Sequence, residues 1–182
     1  MSRKFKIGVM GAATGSHDSG LLEKARGIGS AIAKSESILV YGATIGVPQA
    51  AAEAASEANA FVLGVSPAAS EKEHLEKYKL PLDACSATIY TGFGFNGRNI
   101  ILVRSCDAVI IANGRVGIMI EFGAAYVEEK VIGVLTGTGG ISDKAKELEE
   151  LFAGKCDATI IYDNDPEKLV EKVVAELNKQ KN

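Results

Sequence analysis

Seven short runs rich in Val, Ile and Leu alternate with longer stretches of helical periodicity along this 182-residue chain, and that alternation excludes most architectures. A strand that is apolar on both faces needs cover on both, and a helix between successive strands provides it while returning the chain for parallel pairing. The runs are Phe5–Met10, Ile38–Tyr41, Ala60–Val65, Ala87–Tyr90, Ala108–Ala112, Val131–Leu135 and Ala158–Tyr162. Helical patterns occupy Leu21–Lys34, Val47–Ala58, Arg98–Ser105, Gly117–Glu129, Ser142–Ala153 and Pro166–Lys179. Ser142 with Asp143, and Asp163 with Asp165 before Pro166, supply start signals for the last two. Residues 66–83 read as a surface excursion in which "EKEHLEKYK" forms an amphipathic turn or two. The expected fold is α/β: a doubly wound, Rossmann-like parallel sheet of about seven strands with helices on both faces. At 47% hydrophobic the chain has enough apolar surface for one well-buried core, so residues 1–182 are expected to form a single domain.

A formal net charge of -3, with Lys and Arg scattered, leaves no basic stripe, and nucleic acid is not an expected partner. The run in "MSRKFKIGVMGAA" is interrupted by glycine and too short for a signal sequence, and no stretch approaches the roughly 20 apolar residues of a membrane span. Cys85, Cys106 and Cys156 are odd in number, with no Cys-x-x-Cys pair. They read as buried thiols in a reducing compartment, so a cytoplasmic protein with neither metal nor cofactor is expected.

In a doubly wound sheet the ligand crevice opens at the carboxyl ends of the strands, where strand order reverses. Glycine clusters fall at five such ends: "GAATGSHDSG", "GATIG", "GFGFNG", "NGRVG" and "GTGG". Tight turns need glycine whatever their role, but the convergence of these loops on one sheet edge favours ligand contact for "GATIG" and "NGRVG". The helix starting near Gly117 adds the positive end of its dipole, and together these features suit a phosphate. Neither the dinucleotide fingerprint nor the P-loop occurs at a strand-to-helix junction. Arg98 and Glu121 both begin helices, and if the fourth and fifth strands are neighbours the two side chains face the same crevice, as an ion pair or as a catalytic pair.

The stretch "RNIILVRSCDAVIIANGRVGIMIE", Arg98 to Glu121, resembles the paired signature of the Lonely Guy (LOG) proteins and their relatives, which include the molybdenum-cofactor carrier proteins. That pattern has an Arg-Lys segment, an Asp nine residues after the Arg, then Pro-Gly-Gly-x-Gly-Thr-x-x-Glu; Arg98, Asp107, Gly114, Gly117 and Glu121 are in register with it. Upstream, "VYGATIGVPQ" is similar to the family's Val-Tyr-Gly-Gly-Gly segment, and "IGVMGAA" to its opening strand. The resemblance implies a Rossmann-like homodimer or higher homo-oligomer with one of two functions. One is hydrolysis of the N-glycosidic bond of nucleoside 5'-monophosphates, with Arg98 and Glu121 as catalytic pair; the other is non-catalytic carriage of a phosphorylated ligand such as molybdenum cofactor. In either case it implies an AMP-like or otherwise phosphorylated small molecule held by Gly11, Ala12, Gly42, Ala43, Thr44, Asn99 and the backbone from Gly114 through Arg115, Val116 and Gly117 to Ile118.

The chain departs from the pattern where Asn99 replaces Lys, Asn113 Pro, Arg115 Gly and Ile118 Thr, and where "GAT" replaces the second-strand glycines. Ile118 loses a hydroxyl that would face phosphate, Arg115 brings a cation to the loop, and Ala43 with Thr44 must accept a turn that glycine would ease. The Arg-Asn pair and "YTGFG" resemble the bacterial and archaeal branch near the cofactor carriers more than the hydrolases. Of the other polar groups, His17 is a candidate for ligand contact and His74 reads as solvated. Ser16, Asp18 and Ser19 read as groups that satisfy the loop backbone or cap the following helix, Arg104 and Asp107 as a local pair or local caps, and Glu128–Lys130 as a solvated helix end. The apolar positions Ile100, Ile101, Val103, Ala124, Ala125 and Val127 are core or a helix-packed dimer interface.

Overall fold

The computed structural model describes residues 3–14, 19–152 and 156–181. Among them seven strands, β1 (Lys6–Gly11), β2 (Ile38–Tyr41), β3 (Val62–Ser66), β4 (Ala87–Tyr90), β5 (Ala108–Ala112), β6 (Val131–Leu135) and β7 (Thr159–Asp163), form one sheet in the order β4-β3-β2-β1-β5-β6-β7. Every neighbouring pair is parallel. The helices are α1 (Ser19–Lys34), α2 (Val47–Glu57), α3 (Glu71–Glu76), α4 (Gly94–Ser105), α5 (Val116–Val127), α6 (Gly140–Phe152) and α7 (Pro166–Lys181). The expected doubly wound α/β fold is therefore present.

Alternation along the central strands explains the two layers. Ile7 and Val9 of β1, with Ile110 and Ala112 of β5, point into a core roofed by α1, α2 and α7. Met10, Val109 and Ile111 point the other way, beneath α4, α5 and α6. Each fully buried Ile or Val contributes roughly 1.5–3 kcal/mol, which is why these strands read as unbroken apolar runs. On the first face α1 crosses α2 so closely that a Cβ on Gly29 would stand 1.9 Å from the Ala51 carbonyl oxygen. Only glycine allows that approach.

Strand order reverses between β1 and β5, so the crossovers through α1 and α5 leave to opposite faces and open a crevice above those two strand ends. β4 is an edge strand, separated from β5 by β3, β2 and β1, which corrects the expectation that the fourth and fifth strands adjoin. α4 compensates by packing beside α5 on the second face.

Three local expectations are also corrected. His74, in α3, is fully buried rather than solvated, its Nδ1 2.7 Å from the Ser66 hydroxyl. Arg104 and Asp107 do not pair: Arg104 reaches Glu128 at 2.8 Å, while Asp107 accepts the Lys6 backbone N–H and meets Lys6 and Arg3. Of the thiols only Cys106 is buried, which pushes its pKa up to about 12, and it donates to the Leu102 carbonyl; Cys85 and Cys156 are half-buried. No described helix is long and apolar enough to cross a membrane.

Candidate functional site

The β5–α5 connection sets one wall of the crevice. Asn113 adopts φ 58°, which proline cannot, and its N–H donates to the hydroxyls of Thr138 and Ser142 at 3.0 and 3.1 Å. Its side-chain amide donates to the Thr138 carbonyl, and its Oδ1 accepts the Gly114 N–H. Asn113 in place of proline thus bolts the loop to the "GTGG" turn after β6. Ile141 donates its N–H to the Gly114 carbonyl and completes the brace.

Helix α5 then starts at Val116 with Arg115 as its N-cap, and no side chain caps it. The first backbone N–H that returns into the helix is that of Met119, donated to the Arg115 carbonyl at 3.0 Å. Val116, Gly117 and Ile118 therefore present amides without a helical acceptor at the positive end of the dipole, and all three line the crevice. The Gly114 amide is already engaged, and Gly114 lies behind the lining, buried against the Ile118 side chain. The "GTGG" turn is filled from within, because the Asp143 carboxylate accepts the Gly137 N–H at 2.7 Å and the Gly139 N–H at 2.9 Å.

Arg98 sits in the second turn of α4 rather than at its start, because the glycine-rich "GFNG" is itself helical. Its guanidinium lies over the end of β2, where a Cβ on Gly42 would stand 2.1 Å from Nη1. Gly42 thus makes room for the arginine. Nη1 is 3.6 Å from Glu121 Oε1, an ion pair too long for a hydrogen bond, and both side chains are about 6% exposed. At that separation burial outweighs attraction. The Glu121 pKa is pushed up to about 7, first by burial, with the Arg98 charge opposing; that of Arg98 is drawn down, again by burial first, with Glu121 opposing. The buried Arg98 Nε has no hydrogen-bond partner.

Around this pair the cleft encloses about 390 Å³. Of the expected binding residues, Gly11, Ala12, Gly42, Thr44, Asn99, Arg115, Val116, Gly117 and Ile118 line it together with Arg98 and Glu121. Ala43 does not; it turns the chain at φ 48° from within the core. Thr44 and Asn99 are buried, and within the described protein their side chains make no hydrogen bond. Phe95 and Asn96, unmarked by the sequence reading, complete the mouth; their signal was the helical phase of "GFNGRN", hidden by its glycines. His17, Ser16 and Asp18 lie outside the described residues. Among those described, no group of three or more His, Cys, Asp or Glu is placed to hold a metal ion.

A parallel sheet with its crevice at the β1/β5 reversal, an uncapped helix start and an enclosed Arg–Glu pair defines a Rossmann-like protein of the LOG-related kind. The chain belongs to the SLOG cluster4 family, whose sequence profile matches residues 4–170. An uncharacterized protein of Archaeoglobus fulgidus is 32% identical over 131 residues, covering 72% of this chain and 80% of that protein. The solved molybdenum cofactor binding protein of Rippkaea orientalis is 26% identical with a TM-score of 0.81, covering 97% of this chain and 99% of that one. A Moco carrier protein of Chlamydomonas reinhardtii is 27% identical with a TM-score of 0.78, over 98% and 99% of the two chains.

Proposed function

We propose that this protein binds and carries a small phosphorylated ligand in the β1–β5 crevice, as a homo-oligomer in the cytoplasm. The observation that carries the reading is the set of unclaimed donors around one cleft: the Val116, Gly117 and Ile118 amides beside the enclosed Arg98 guanidinium. A phosphate takes several such donors at once. Thr44, Asn96 and Asn99 add neutral groups suited to a polar heterocycle, and the likeness to a cofactor binding protein and to a Moco carrier protein supports a phosphorylated pterin or a nucleotide.

The Arg98–Glu121 pair favours a second reading, hydrolysis of a nucleoside 5'-monophosphate. A carboxylate there stabilises positive charge developing on ribose as the base departs. Against it stand the raised Glu121 pKa, which leaves much of the carboxyl protonated near neutrality, and Ile118 in place of a hydroxyl. Calorimetric titration with AMP, GMP, CMP and UMP, alongside chromatographic assay of base release, separates the two. We expect saturable binding without turnover. Base release by the wild type that Glu121→Ala abolishes, with binding retained, would establish the hydrolase instead; absence of both binding and release would refute the hydrolase and exclude these nucleotides as the carried ligand.

A further inference from the structure

His74 takes no part in the cleft, yet it is fully enclosed between α3 and the sheet. Its Nδ1 lies 2.7 Å from Ser66 Oγ, and that oxygen also accepts the Ala68 N–H at 3.0 Å. Nε2 makes no hydrogen bond of standard geometry and has the Pro81 carbonyl beside it. Burial, opposed by that carbonyl, lowers the pKa and keeps the ring neutral. A neutral ring of this geometry accepts the Ser66 hydroxyl proton at Nδ1 and carries its own proton on Nε2.

Protonation puts a donor on Nδ1, so the Ser66 hydroxyl must turn from donor to acceptor across the 2.7 Å contact and its own hydrogen loses its partner. Among the described residues the hydroxyl has no other acceptor, and the imidazolium meets no free carboxylate. From β4, Tyr90 meets the ring edge-on at 6.4 Å, and the Tyr90 hydroxyl engages Glu71. On α3 itself Glu73 is committed to Lys77 and to the Ala69 N–H. Among the described residues β3 contributes Ser66, and the loop beyond α3 contributes the Pro81 carbonyl.

The segment next to this pair anchors α4. The Ser66 carbonyl accepts the Thr91 N–H and hydroxyl at 3.1 and 2.7 Å, Gly92 donates to the Ala68 carbonyl at 2.9 Å, and Gly94 to the Pro67 carbonyl at 3.0 Å. Gly94 opens α4, whose Phe95 and Asn96 form the cleft mouth. Tyr78, two residues past α3, meets the Phe95 ring edge-on at 5.4 Å and makes a second link.

We propose that Ser66 and His74 form an acid-released latch on the cleft mouth: neutral His74 holds the turn after β3 and, through it, the first turn of α4, and protonation frees both. The latch stands on its own geometry; its effect on ligand affinity rests on the function proposed above. Nitrogen-15 NMR should show His74 neutral with its proton on Nε2, titrating below the ordinary imidazole value of 6.5. Hydrogen exchange at the Gly92 and Gly94 amides, corrected for intrinsic rates, should accelerate roughly tenfold as His74 protonates, with far-UV circular dichroism unchanged. His74→Gln, which cannot titrate, should lack that step. A wild type without it, or a variant that keeps it, overturns the latch. If His74→Gln does not fold, Ser66→Ala is read instead: His74 should titrate higher than in the wild type and the two amides should be less protected at neutral pH, and unchanged values overturn the proposal. Inorganic phosphate titrated separately reads the cleft, so failure of binding and failure of the latch are distinguishable.

Discussion

A carboxyl group enclosed as Glu121 is titrates within reach of neutrality, and the direction of the shift sets how stability should follow pH. Below its ordinary value of 4.5 the group is protonated in both folded and unfolded chains. Between there and about 7 the unfolded chain ionises first, so this group's contribution to stability falls as pH rises, by up to about 3 kcal/mol. His74, with its lowered pKa, works in the opposite sense. The comparison of wild type with Glu121→Gln therefore isolates the carboxyl: in urea unfolding, the variant should gain on the wild type as pH rises from 4.5 to about 7. An offset independent of pH would show that Glu121 titrates normally. Sequence spacing placed Arg98 and Glu121 together, but on the premise of adjacent strands that the sheet order overturns. Their meeting depends on where α4 packs, and no local periodicity encodes that.

At the level of elements, α5 is the helix whose start can be altered without disturbing its packing. A Cβ on Gly117 would meet nothing within 4 Å, and the residue has ordinary helical geometry. Gly117→Ala should stabilise the fold by up to about 1 kcal/mol through helix propensity. It also fills part of the space beside the free amides, so phosphate binding should weaken at least about tenfold. Thermal unfolding and calorimetry on one sample test both halves, and tighter or unchanged phosphate binding would remove the helix start from the site. Of the strand limits, those of β2, β4, β5 and β6 match expectation. The remaining strands shift by one or two residues, where flanking alanines and glycines give no sharp edge. α4 begins earlier than expected because glycines that read as loop are helical, and His74 was misread because "EKEHLEKYK" is mostly charged while His74 is the buried residue of its helix.

For the molecule as a whole, the outer surface of α4 and α5 exposes Phe93, Ile100, Val116, Met119, Ile120 and Val127, and this apolar face adjoins the cleft mouth. We expect self-association through it. Sedimentation of Ile120→Lys should show a smaller species than the wild type, with the circular dichroism spectrum retained, whereas an unchanged assembly would place the contact elsewhere. The carboxylate of Asp143, folded back over the "GTGG" amides, has a consequence for selectivity. Two neighbouring loops at these strand ends present backbone amides, and the chain supplies its own negative charge to one of them. A diphosphate spanning both loops would have to evict an internal competitor, while a monophosphate would meet no such rival.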